Sequence, residues 1–287
     1  MTDTHPRIVL PRLARIMTVL MMVLAGFLPL APAKAAEHER IGAFLNITGF
    51  DVALDSIALS AANAPGMLGL PEDKFGQDWA RLARDVFDTD VMRGIAEDIL
   101  AATLSDTALK HAADFYASEL GQRLVLAENA SHMNADQAGK QQSGRQIIAG
   151  LLSDGAPRLE IIKRMIRAVN SSDSSVRALQ EVQMRFLLAA NAAGVIKLKV
   201  DAEGLSALMK QQEGEMRRSM QQSALAGSAF TYRDFSDAEI ERYTEALEHP
   251  EMREVYALLN AVQYEIMANR FEVLATRMAE LHPTQDI

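Results

Sequence analysis

The sequence predicts an all-α protein, an antiparallel helical bundle built from two related helical units. Apolar residues recur at three- and four-residue intervals through most of the chain, which places them on one face of successive helices. Residues that start and stop helices separate these segments. A short helix followed by a longer one is predicted twice, at an offset of 131 residues, which is typical of an internal repeat.

The N-terminal segment is typical of a secretory signal peptide. A basic lead over 1–15 precedes an apolar run over 16–30, and Ala33-Lys34-Ala35 provides a small-residue cleavage site. The run is shorter than the about 20 residues that a transmembrane helix needs. We expect cleavage after Ala35, a periplasmic or secreted location and a mature chain that does not span the membrane. A retained anchor, or a mis-called start codon, is the alternative.

The composition narrows the classes of function. The 287 residues include no Cys, which excludes disulfides, Cys-ligated metal centres and a thiol nucleophile. The net charge of the full chain is −9; without residues 1–35, 25 basic and 37 acidic residues remain, and the net charge is −12. Proteins whose main task is to bind nucleic acid carry basic surfaces instead. We therefore expect no nucleic-acid partner.

The first half after the signal, 36–172, is predicted to be one helical unit with an N-terminal extension. Residues 61–71 are rich in Gly, Pro and Ala and are predicted to be a loop that lies over the core. Ser105 and Ser118 are suitable N-caps, and Gly155 with Pro157 indicates a stop and a restart. The predicted helices are 107–117, 119–153 and 157–170.

The second half, 173–287, is predicted to be the second helical unit, and the polar run 170–175 marks the boundary. Residues 195–200 alternate as in a strand, but the pattern is ambiguous. Ser236 and Glu239 fit a capping box. Helices are predicted over 203–225 and 249–281. The helix over 249–281 has a near-heptad apolar seam, which suits antiparallel packing. The same seam suits self-association, so we also expect a homo-oligomer.

Two segments are similar at the offset of 131 residues. Leu104–Leu109 aligns with Phe235–Ile240, and Asn129-Ala130 aligns with Asn260-Ala261. In both copies a capped helix leads through a short break to a longer helix. This order predicts two units packed with pseudo-symmetry. Chance similarity between two helical stretches is the alternative.

One heptapeptide, Phe115-Tyr116-Ala117-Ser118-Glu119-Leu120-Gly121, carries a family resemblance. Together with the preceding Ser105 cap, it resembles the F-Y-x-S-x-x-G signature of the bacterial "domain of unknown function 2059" family. The resemblance covers about 85–135 and implies an exported helical protein. It implies no activity, since none has been assigned to the family. In the second copy the four signature positions hold Ala246, Leu247, His249 and Met252.

The signature residues Phe115, Tyr116, Ser118 and Gly121 are the candidate ligand-binding residues. Helix N-termini attract anions, so Tyr116 and Ser118 can line a cleft where two helices meet. A structural interpretation explains the same residues without a ligand. Aromatic packing, an N-cap and a close approach of two helices need these residue types at this spacing.

The sequence contains no recognisable catalytic or metal-binding motif. The five His that follow the signal share no spacing that would place two ligands on one helix face: His38, His111, His132, His249 and His282. We predict no catalytic residue, metal site or cofactor. The expected function is a non-catalytic binding or scaffold protein of the cell envelope, whose partner is an envelope protein or an apolar small ligand. The alternative is an envelope hydrolase assembled from distant residues: His111, Tyr116, Ser118 and His132.

Overall fold

A computed structural model describes residues 31–61, 64–71, 75, 77–169 and 172–281. Most of the predicted signal peptide and His282 lie outside these ranges. The chain divides into two compact units, Met1–Glu39 and Arg40–Ile287. In the first unit the structure describes only the start of a helix. The second unit contains the hydrophobic core.

The described residues form helices joined by turns, with no strand among them, which confirms the predicted all-α class. In chain order the helices are α1 (Ala31–Thr48), α2 (Phe50–Ser60), α3 (Ala64–Met67), α4 (Asp78–Val86), α5 (Thr89–Thr103), α6 (Asp106–Tyr116), α7 (Glu119–His132), α8 (Gln137–Ser153), α9 (Arg158–Val169), α10 (Ser172–Ala192), α11 (Ala202–Thr231), α12 (Asp237–Glu248) and α13 (Pro250–Met278).

Three serines begin helices where the sequence predicts it. The hydroxyls of Ser105 and Ser118 each accept a hydrogen bond from the amide three residues later. Ser236 and Glu239 form the complete capping box. Each cap satisfies an amide that the first turn of a helix leaves without a partner. The starts of α6, α7 and α12 are therefore set by local chemistry.

The prediction of one helix over 119–153 is wrong, because the chain turns between α7 and α8. Asn134 Oδ1 accepts a hydrogen bond from the Asp136 amide at 2.8 Å. Asp136 in turn caps α8 by accepting from the Gly139 amide at 2.8 Å. Short polar side chains compete in this way with helical backbone bonds. The two side chains end one helix and begin the next.

Residues 195–200 form bends and irregular backbone instead of the strand that their alternation suggested. Gly194 has a φ of 76°, and the Val195 amide donates back to the Ala190 carbonyl. This arrangement is a common helix end that needs Gly in the left-handed region. The apolar side chains of Val195 and Ile196 instead pack against the edge of the core.

The other predicted boundaries differ from the structure by a few residues. The loop predicted over 61–71 contains the short α3, and Leu68 within it is buried. The helix predicted over 203–225 extends to Thr231 as α11. The polar run at 170–175 is already helical from Ser172 onward. The division of the chain into units 36–172 and 173–287 stays a prediction.

The long helix α13 lies in the middle of the core. Its buried residues recur at three- and four-residue intervals from Met252 to Met278, and it packs against α2, α4, α5, α6, α9, α10 and α12. The Phe271 ring meets Phe87 and Phe186 edge-on at 5.3 and 5.1 Å. The seam expected to favour self-association is therefore buried within the chain. The oligomeric state stays a prediction.

Ion pairs show that α9 and α12 run side by side in the same direction. Arg158 binds Asp237 at 2.8 Å near the start of both helices. Further along both helices, Arg164 binds Glu248 at 2.7 Å. Residue numbers therefore rise together along the two helices.

The same order holds for α10 and α13. Ala178 shares a cavity with Ala257 and Ala261, and more than two turns further along both helices, Phe186 contacts Phe271. This parallel order differs from the antiparallel packing that we expected for the C-terminal helix. The pattern of a helix seam defines its apolar face but leaves the direction of its neighbour open.

No single helix among the described residues is long and apolar enough to cross a membrane. Two consecutive helical segments, residues 35–48 and 50–59, together have the length and apolar composition of a membrane span, but the angle between them is 75°. The bend lies at Gly49, whose φ is 71°. A Cβ at this position would also lie 2.5 Å from the Asn129 side chain and 2.9 Å from Val125, so both conformation and space require Gly here.

Candidate ligand-binding site

The signature residues form the corner between α6 and α7. Ser118 Oγ accepts a hydrogen bond from the Gly121 amide at 3.1 Å. A Cβ on Gly121 would lie 2.3 Å from the Phe115 carbonyl oxygen and 2.6 Å from Tyr116 Cα. The structural interpretation of Ser118 as a cap and of Gly121 as a close approach is confirmed. Ligand binding by the four signature residues stays a prediction.

Tyr116 connects this corner to a cluster of phenols. Its side chain is buried, and its hydroxyl lies 3.1 Å from the Tyr243 hydroxyl and is also hydrogen-bonded to the Tyr256 hydroxyl. Tyr243 and Tyr256 hydroxyls lie 3.0 Å apart. The Phe115 ring stacks on Tyr243 at 5.8 Å with an angle of 9° between the planes. The cluster thus joins α6 to α12 and α13.

One carboxylate completes the cluster. Glu128 Oε1 accepts hydrogen bonds from the hydroxyls of Tyr232 and Tyr243 at 2.7 and 2.9 Å. Glu128 forms no ion pair with any described residue, and its Oε2 accepts no hydrogen bond from one. Burial raises the pKa of Glu128, although the two phenol donors oppose this rise. Four of the five Tyr in the chain therefore belong to one cluster with a carboxylate that has no ion pair among the described residues. Tyr232 and Tyr243 bind Glu128 directly, and Tyr116 and Tyr256 bind Tyr243.

The hydroxyl protons of the cluster are ordered by Glu128. Burial raises the pKa of Tyr116, Tyr232 and Tyr243, so these phenols keep their protons. Each phenol has one proton to donate. When Tyr243 donates to ionised Glu128, its bonds with Tyr116 and Tyr256 need the protons of those two residues. At most two of the three contacts among these phenols are then hydrogen bonds at one time. The cluster is then polarised toward the carboxylate.

A cavity of about 310 Å³ lies beside the cluster, between α7, α9, α11, α12 and α13. This volume is at the lower end of the range for small-molecule sites. Its polar lining includes the Glu128 carboxylate, the phenols and hydroxyl groups, whereas α9 and α12 supply an apolar wall. The lining residues that matter for its chemistry are Glu128, Ser131, His132, Thr231, Tyr232, Tyr243 and Tyr256 on the polar side, and Met165, Ile166, Val169 and Leu247 on the apolar side.

A second polar group, Ser131 with Lys140 and Thr231, adjoins the cavity. Lys140 Nζ donates to the Ser131 carbonyl at 2.9 Å and to its hydroxyl at 3.2 Å. The hydroxyls of Thr231 and Ser131 lie 2.8 Å apart. Partial burial lowers the pKa of Lys140. A Ser beside a Lys can act as a nucleophile with its base, but this Lys satisfies a carbonyl in the last turn of α7, which is a sufficient structural reason for its position.

The residues considered for a hydrolase do not meet at one point. The His111 ring stacks on His249 at 4.2 Å, with 13° between the planes. Ser118 precedes α7 and His132 ends it, so the helical rise separates them by roughly 20 Å. Of the four candidates, His132 lines the cavity and Tyr116 contacts two of its phenols. Among the described residues, no group of three or more His, Asp or Glu could hold a metal ion.

Glu128, Tyr232, Tyr243 and Tyr256 were not identified as site residues from the sequence. One signal for Glu128 was present, since it follows the buried Leu120 and Leu124 at four-residue intervals. An acid on the core face of a helix is unusual and needs a partner or a function.

Searches of curated proteins and of solved structures each return no match. A family model does match the chain, over residues 90–149. This range contains the signature and Glu128, whereas Tyr232, Tyr243 and Tyr256 lie outside it. The matching family is DUF2059, described as an uncharacterized protein conserved in bacteria, which confirms the family resemblance of the signature segment.

Proposed function

We propose that this chain is an exported, non-catalytic binding protein of the bacterial cell envelope, and that it holds a small ligand in the cavity beside Glu128. The observation that carries the proposal is the unpaired carboxylate in a partly apolar cavity of about 310 Å³. A mostly apolar wall with a few convergent polar groups is typical of ligand sites. The phenol cluster holds the carboxylate in place before a ligand arrives, which lowers the cost of binding.

Export rests on the N-terminal pattern, and it is tested separately from binding. The chain is expressed in a bacterial host, the periplasmic fraction is isolated, and the N-terminus of the protein is sequenced. We expect the mature chain to begin at Ala36. Replacing the cleavage-site alanine, as in Ala35→Leu, should leave the longer precursor in the membrane fraction. A mature protein that retains residues 1–35 in the cytoplasm would refute export.

Binding is tested with a variant that fills the cavity. Ser228 lines the cavity on α11 and is half-buried, so Ser228→Phe should occupy the space in which a ligand lies. Ser219, on the same helix, is exposed, and Ser219→Phe is the matched control. Ligand-observed NMR with a library of small metabolites reports binding without knowledge of the ligand.

We expect hits that bind the unchanged protein and Ser219→Phe but not Ser228→Phe. Circular dichroism verifies that both variants are folded. Hits that bind Ser228→Phe equally well would place the site elsewhere. If no library member binds the unchanged protein and loses its binding in Ser228→Phe, the cavity is not a ligand site.

A further inference from the structure

Glu128 has no cation among the described residues, in contrast to three other partly buried carboxylates. Glu239, Glu248 and Glu272 each form an ion pair with an Arg, at 2.5 to 2.7 Å. Glu128 has two phenol donors on one oxygen and none on the other. A carboxylate removed from water is costly unless a charge or hydrogen bonds compensate it. The protein gives Glu128 Oε2 no donor among the described residues and leaves this atom accessible to solvent, where a cation can reach it.

The cavity wall is also suited to a cation. The Tyr232 and Tyr243 rings lie 5.9 Å apart at 65° to each other, and both line the cavity with Tyr256. Aromatic rings attract cations, and several rings beside a carboxylate are the arrangement that recognises ammonium groups. The apolar side chains of Met165 and Val169 can contact the carbon substituents of such a group.

The basic residues near the cavity do not compete for this position. Lys140 Nζ is bound to Ser131 at the end of α7. His132 lines the cavity, and desolvation together with the Lys140 charge lowers its pKa, so the imidazole is neutral at neutral pH. Glu128 is the only Asp, Glu, Lys or Arg among the described residues that line this cavity.

We infer that the ligand carries an ammonium group, primary or quaternary, which binds Glu128 between the rings of Tyr232, Tyr243 and Tyr256. This inference rests on the proposed function, because it names the class of ligand for the same cavity. An anionic ligand would be repelled by the carboxylate. A neutral ligand can at most donate a hydrogen bond to Glu128 and leaves the carboxylate without a counter-ion.

The test compares probes of similar size and different charge on the full mature chain. Tetramethylammonium and butylammonium are the cations, 1-butanol is the neutral probe and butyrate is the anion. Binding is followed by two-dimensional amide NMR, which also shows whether shifts occur at the cavity. We expect the two cations to shift cavity residues with at least tenfold higher affinity than 1-butanol, and butyrate not to bind.

Two variants identify the group that binds the charge. Glu128→Gln keeps the size and an acceptor for the phenols but removes the charge, so cation affinity should fall at least tenfold. Glu119→Gln on the same helix, at an exposed position, should leave it unchanged. In the unchanged protein, cation affinity should also fall as the pH is lowered through the pKa of Glu128, and protonation of His132 acts in the same direction.

The outcomes separate this inference from the proposed function. Equal affinity for 1-butanol and the cations, or unchanged cation affinity in Glu128→Gln, would overturn the ammonium inference and leave the cavity as a ligand site. The comparison of probes on the unchanged protein decides the question even when Glu128→Gln does not fold. Failure of every probe and of the library to bind at the cavity would overturn both.

Discussion

Replacing Gly121 by Ala tests whether the corner between α6 and α7 is closed by direct contact of backbone on backbone. The added Cβ would lie 2.3 Å from the Phe115 carbonyl oxygen and 2.6 Å from Tyr116 Cα. Both neighbours are main-chain atoms, which cannot rotate away as the end of a side chain can. The helices must therefore separate, and the buried Tyr116 side chain must move with its backbone.

The magnitude follows from two opposing effects. Ala stabilises a helix by up to about 1 kcal/mol relative to Gly, whereas overpacking typically costs about 1–3 kcal/mol, and more when the backbone must shift. We expect a net loss of about 1–3 kcal/mol for Gly121→Ala. Gly94 in α5 is the matched control, because a Cβ there has no neighbour within 4 Å. Gly94→Ala should stabilise the protein by about 0.5–1 kcal/mol.

Urea unfolding followed by circular dichroism measures both variants, and thermal unfolding gives a second reading. For a protein of this size, 1 kcal/mol shifts the Tm by roughly 2–4 °C, so the two substitutions should move the Tm in opposite directions. Near-ultraviolet circular dichroism should change only in Gly121→Ala, since the Tyr116 environment changes there. Equal stability of the two variants would refute the close-contact interpretation.

Three further predictions concern stability. Gly144→Ala should destabilise the protein in urea unfolding, because a Cβ would lie 2.0 Å from a backbone carbonyl oxygen of α11. Gly150→Ala on the same helix is the control. A Cβ there has open space around it, so this substitution should stabilise the protein by up to about 1 kcal/mol. Ser118→Ala should lose about 1 kcal/mol in the same assay, since it removes the N-cap of α7. Glu128→Gln should be more stable than the unchanged protein at pH 8 and lose this advantage at low pH. The raised pKa means that the folded state binds the Glu128 proton more tightly than the unfolded state, so the stability from protonation is present at low pH and lost as the pH rises through the folded pKa. Urea unfolding at pH 8 and at low pH measures this difference.

The helix starts could be predicted from sequence because their causes are local. Ser105 and Ser236 act on amides three residues away, and no other part of the chain is needed. The break after α7 had a local cause as well, in Asn134 and Asp136. It was missed because the first stop signal that the prediction uses after Ser118 is Gly155 with Pro157. Residues 195–200 show the reverse error, in which a short alternation outweighed the Gly that ends α10.

The candidate site could be predicted only in part, because its bonds join residues far apart in sequence. Tyr116 was identified from the signature, but its partner Tyr243 is 127 residues away. Glu128 and its donors Tyr232 and Tyr243 are separated by 104 and 115 residues. Helical period shows which face of each helix is buried, but not which other face it meets. The meeting of α7 with α12 is therefore a property of the tertiary structure.

The two segments that align at an offset of 131 residues differ at the positions of the site residues. At that offset the counterparts of Tyr116 and Glu128 are Leu247 and Leu259, and both are buried among apolar residues. If the two segments derive from a duplication, only the first copy has the polar pair, and the second contributes Tyr243 and Tyr256 to the same cluster. Two copies would then form one site at their contact instead of one site each. Gly121 fixes the Tyr116 backbone at the corner, so this signature residue would support such a shared site through helix geometry.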